Sequence, residues 1–126
     1  MKASILHGNF LQERTMTEKL DMDISNMKKH LVEIVERGIS LTDVSRYVTE
    51  TMEEAGSRCL IYLVKFGESR QQEYIMNETL ETHIFYFKKF IVDLVRQEVH
   101  SVTIAQQIVE SLTEAGYPCN FQTNPL

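Results

Sequence analysis

Apolar residues recur along this chain at spacings of three and four. Met16, Leu20, Ile24, Met27, Leu31, Ile34 and Val35 form one stripe, and Met76, Leu80, Ile84, Phe87, Ile91, Leu94 and Val95 form a second. That spacing gathers each set on one face of an α-helix, with polar residues opposite. Two shorter stripes, Val44-Val48-Met52-Ala55 and Ile104-Ile108-Leu112-Ala115, each run into a glycine, Gly56 and Gly116. Glycine takes the left-handed conformation that closes a helix without a steric cost. The pattern therefore predicts two long and two short amphipathic helices. Asn9 and Ser69 are each followed three residues later by a glutamine, Gln12 and Gln72. This is the spacing of a capping box, and it places the starts of the long helices near residues 10 and 70. Gly38 marks the end of the first long helix, whereas the second has Glu98 there and no such stop signal.

Three segments have strand character. Cys59–Phe66 is nearly all apolar, with β-branched and aromatic residues, and reads as a central strand covered on both faces. Ala3–His7 is a short candidate at the equivalent place before the first helix, and Pro118–Gln122 suits a closing edge strand.

The predicted elements recur because the sequence does. Shifted by 60 residues, Met16–Cys59 aligns with Met76–Cys119 without a gap and with 13 identities in 44 positions. Unrelated segments of average composition agree at about one position in sixteen. Glu50/Glu110, Glu54/Glu114, Ala55/Ala115, Gly56/Gly116 and Cys59/Cys119 carry the match through the short helix and its stop. The expected architecture is α+β and predominantly helical. It is a tandem duplication of a strand–long helix–short helix unit, with pseudo-twofold symmetry and a small sheet. One domain is expected over residues 1–126, built from repeats at about 1–58 and 59–119 plus a short C-terminal tail. A long helix of about 26 residues spans near 39 Å and a 14-residue helix near 21 Å. The short helix cannot cover the long helix's stripe, so the long helices are expected to cross and cover each other. A 60-residue unit alone would also be marginal in stability.

Composition narrows the function. Apolar residues make up 43% of the chain, and no apolar run reaches the roughly 18 residues of a membrane span. The first residues carry no secretory signal, and two cysteines without a framework suit a reducing, cytoplasmic setting. Net charge is −5, which disfavours nucleic acid and favours a basic partner.

Candidate chemistry is sparse. Cys59 and Cys119 fall at equivalent positions and read as small buried hydrophobes, with a disulfide as the sharper alternative. His7, His30, His83 and His100 show no metal-ligand spacing. Glu54 and Glu114 stand near helix C-termini, where the dipole disfavours an acid, so each is expected to have a partner. Val35–Ala55 opens like a helix-turn-helix, yet no recognition helix follows. No catalytic residue, cofactor or metal site is predicted.

One asymmetry points to a surface. His83, Tyr86 and Phe90 lie at i, i+3 and i+7 beside the second stripe, where the first repeat has the polar Asp23, Asn26 and His30. The fold requires one apolar stripe per unit, so this extra strip is either covered from within the chain or a partner-binding site. A second copy is its simplest occupant. The expected function is a small non-enzymatic protein-binding regulator (adaptor, inhibitor or immunity-type protein) acting through a helical surface. The alternatives are a DNA-binding transcriptional regulator and a small-ligand sensor with a pocket between the repeats.

Overall fold

The computed structural model describes the backbone of residues 2–65 and 75–125, and the side chains of residues 18–64 and 75–123. The order is α1 (Lys2–Glu36), α2 (Leu41–Glu54), β1 (Cys59–Lys65), α3 (Glu78–Arg96), α4 (Ser101–Glu114) and β2 (Cys119–Pro125). The architecture is α+β, predominantly helical, with one small antiparallel sheet.

All four helices stop in the same way. Gly38, Gly56 and Gly116 have φ of 105°, 92° and 94°. Beyond each, an N–H reaches back across the last turn: Ile39 to Ile34 O, Ser57 to Met52 O and Tyr117 to Leu112 O. At the fourth stop Glu98 takes the left-handed conformation, with φ 65°, and Val99 N–H donates to Leu94 O. The backbone geometry is thus kept where the glycine is not, at a cost of about 1 kcal/mol.

The helix starts depart from expectation. α1 begins at Lys2, so Asn9 lies inside a helix rather than capping one, and the strand expected at Ala3–His7 is helical. Alanine and leucine there have good helix propensity, which outweighs the weak strand signal. The capping box Ser69–Gln72 lies outside the described residues, and α3 begins at Glu78. There Asn77 accepts the N–H of Leu80 at 2.9 Å. Glu78 and Glu81 in the first turn favour this start through the helix dipole. The order in each half is accordingly helix–helix–strand.

α3 has 19 residues, shorter than the expected length, yet the two long helices do pack on each other. α1 and α3 make the broadest helix–helix contact, while α2 packs on α3 and α4 on α1. Each short helix thus docks on the long helix of the other half. Met27, Leu31, Ile34, Leu80, Phe87, Ile91 and Leu94 are buried in one cluster with Val44, Val48, Ile104 and Ile108. Met76, expected in the second stripe, precedes α3 and is exposed.

β1 is not a central strand covered on both faces. Among the described residues it pairs with β2 alone, in a two-stranded ribbon whose register sets Tyr62 opposite Gln122. Ile61 faces the core, but Tyr62 and Val64 on the other face are 47% and 43% exposed. Ala3–His7 is helical and does not flank it, so among the described residues β1 has a strand neighbour on one side. Its other edge is closed by α2. Thr49 Oγ1 accepts from Ile61 N–H at 3.1 Å, and Ser45 Oγ accepts from Leu63 N–H at 2.9 Å.

Candidate functional site on the third helix

α3 carries the whole candidate strip. Its apolar stripe (Leu80, Ile84, Phe87, Ile91, Leu94) faces the core, so positions 83, 86 and 90 fall on the flank next to α1. The structure brings His83, Tyr86 and Phe90 together around a residue from the other half. His30 of α1 lies over the strip, its ring 5.3 Å from Tyr86, 5.9 Å from Phe90 and 5.2 Å from His83. The intrachain cover is therefore a helix side chain, rather than a strand. His83 and Phe90 are half-buried beneath it.

The two imidazoles meet at 3.0 Å between their Nδ1 atoms. Such a contact needs one nitrogen to carry the proton and the other its lone pair, so both rings cannot be charged without losing it. Glu33 Oε2 lies 3.9 Å from His83 Nε2 and 3.4 Å from Arg37 Nη2. Glu33 thereby favours a proton on Nε2 of His83, leaving its Nδ1 to accept from His30. Burial pushes the His30 imidazole below its usual pKa, and His83 and Lys29 push the same way, against Glu33.

The flank is polar where the halves exchange roles. Asp23, the counterpart of His83, is buried and accepts from Lys19 Nζ at 2.8 Å and from Gln97 Nε2 at 2.7 Å. Gln97 in turn is the counterpart of Arg37. One end of the helix crossing is thus joined by a carboxylate–amide contact, the other by a carboxylate–histidine cluster.

The outer part of the strip stays open. Phe85 is 63% exposed and Tyr86 38%, and the two rings meet edge to face at 5.4 Å. Lys89 Nζ stands 5.9 Å from the Tyr86 ring and 5.4 Å from the Phe90 ring. Phe85 was not singled out by helical spacing, although its polar counterpart Ser25 signals the same asymmetry. His30 and Glu33 were missed because their role depends on how two helices cross.

Other candidates do not assemble chemistry. Cys59 and Cys119 are free and buried, and burial pushes the Cys119 thiol up. The register sets Cys119 opposite Lys65, six residues along β1 from Cys59 and so about 20 Å away. A disulfide needs Cα atoms within about 7 Å, so this pair cannot bridge. Glu54 and Glu114 are exposed, with no ion-pair partner among the described residues, contrary to expectation. Among those residues no group of three or more His, Cys, Asp or Glu is placed to hold a metal ion, and no helix is long and apolar enough to cross a membrane. α2 runs into the Gly56 stop and β1, without a recognition helix behind it. No protein-family model, curated protein or solved structure matches this chain.

Proposed function

We propose that this chain is a small, non-enzymatic protein-binding regulator whose contact surface is the outer strip of α3. The observation that carries the reading is the exposed pair Phe85 and Tyr86, stacked edge to face at 5.4 Å on a helix whose apolar stripe is already buried. Two large rings in water, on a face that folding does not need, are the usual anchors of an interface. Phe90 and His30 hold Tyr86 from behind, so the partner meets a pre-positioned ring and loses less entropy on binding. The net charge of −5 suits a partner of basic character, steered by long-range attraction. The two buried, unpaired thiols fit a reducing, cytoplasmic setting.

This reading includes an origin by duplication. α2 and α4 are offset by 60 residues, as are β1 and β2, and left-handed residues recur at 38/98 and 56/116. Tyr62 opposite Gln122 pairs a residue with its own counterpart at the middle of the ribbon, which is where a pseudo-twofold axis would pass. On this account one half kept Ser25 and Asn26, and the other acquired Phe85 and Tyr86 as a binding device.

The test replaces Phe85 and Tyr86 with those counterparts, F85S/Y86N, and compares co-purification from native extract. Neither ring belongs to the buried core cluster, so the thermal midpoint should hold. A protein retained by the parent and lost with the variant is the expected result. An unchanged set of retained proteins would overturn the assignment.

A further inference from the structure

The two edges of the ribbon are treated differently. Ile61 and Leu63 direct their N–H groups to Thr49 and Ser45, so the odd-numbered residues of β1 point away from β2. In an antiparallel pair, facing residues share the same orientation, so Phe121 and Thr123 of β2, opposite Leu63 and Ile61, also point outward. α4 has Ala105 and Val109 where α2 has Ser45 and Thr49, so it has no hydroxyl to offer that edge. α4 touches both strands rather than only the outer one. Among the described residues the Phe121 N–H donates to its neighbour alone, Asn120 Oδ1, at 2.9 Å. The outer edge of β2 is therefore left unclosed among the described residues.

We infer that this edge pairs with β2 of a second copy, giving a four-stranded sheet in the order β1-β2-β2-β1. Exposed strand edges are normally guarded by charge, and β2 (Cys-Asn-Phe-Gln-Thr-Asn-Pro) carries none in a chain that is 25% charged. Two β2 strands thus meet without like charges facing each other. Their chemistry is self-complementary. Antiparallel pairing centred on Phe121 sets the two Phe121 rings side by side and Cys119 opposite Thr123. The core-facing side of the ribbon then continues across the junction. Phe121 packs against the core yet is only half-buried, and a second copy completes its cover. Asn120 and Gln122 on the opposite, exposed face then align as an amide pair. Pro125, which has no N–H, ends the edge and limits the pairing to its first residues. This dimer leaves Phe85 and Tyr86 free for their own partner.

The test is sedimentation of the full chain across a concentration series up to about 100 μM, where a weak strand-paired dimer is populated. Thr123→Pro removes an outward N–H without touching the β1 ladder, and its symmetric loss in both copies should weaken association at least about tenfold. A second variant, Asn120→Lys with Gln122→Lys, sets like charges opposite each other and should weaken association in a way that salt relieves. The circular dichroism melt reports folding in each case. F85S/Y86N should leave the dimer intact. A chain that stays monomeric throughout, or a dimer that survives both β2 variants and dissociates with F85S/Y86N, would overturn the inference.

Discussion

Two residues carry more of the account than their size suggests. Glu98 holds φ 65° where its counterpart Gly38 holds 105°, in the same hydrogen-bonded stop. A glutamate pays the left-handed penalty and a glycine does not, so Glu98→Gly should stabilise the fold by about 0.5–1 kcal/mol. Chemical denaturation should show the midpoint rising at constant m; a fall would mean that the Glu98 side chain contributes more than its backbone costs. His30 is the other. Its imidazole is held below the usual value near 6.5 by burial, by His83 and by Lys29, against Glu33. The unfolded chain then binds this proton more readily than the folded one. Stability from this source is complete above about pH 6.5 and is lost as pH falls towards the lowered folded value. His30→Phe, which copies Phe90 of the other half, should make the thermal midpoint less sensitive between pH 7.5 and 5.5 at about the unfolded histidine pKa. An unchanged slope in the variant would assign the sensitivity to another group.

At the scale of elements, the helices were legible and their surroundings were not. The three- and four-residue spacing of the stripes located α2, α4 and most of α3, and Gly38, Gly56 and Gly116 located three of the four stops. A capping box is a local signal: Asn9 lies inside α1 despite its spacing from Gln12, and α3 takes Asn77 as its cap. Glu98 hid its stop because a left-handed glutamate is set by the flanking hydrogen bonds and not by its own preference. Strand placement failed for a different reason. The apolar run of β1 does announce a strand, but the number of neighbours depends on whether other segments pair, and Ala3–His7 is helical. Nothing in the pattern revealed that Ser45 and Thr49 would face an edge. Their loss should be felt: Thr49→Val, the residue found in α4, strands the Ile61 N–H and should cost about 1–3 kcal/mol in urea denaturation. A cost near zero would mean that water replaces the hydroxyl.

For the whole molecule, the exchange of short helices ties the halves together. α2 on α3 and α4 on α1 mean that neither half completes its core alone, and the crossing of α1 with α3 presents the strip. The sequence revealed three of the strip's residues through their divergence from Asp23, Asn26 and His30. It did not reveal that His30 would lie over them or that Phe85 would extend them outward, since both follow from the angle at which two helices meet. A photo-crosslinking side chain placed at position 85 tests most directly the proposed contact of Phe85 and Tyr86 with a protein partner. The control carries the same group at Thr103, an exposed position on α4. Irradiation in native extract should give a discrete adduct from position 85 and none from position 103. Identical adducts from both positions, or none from position 85, would contradict the account.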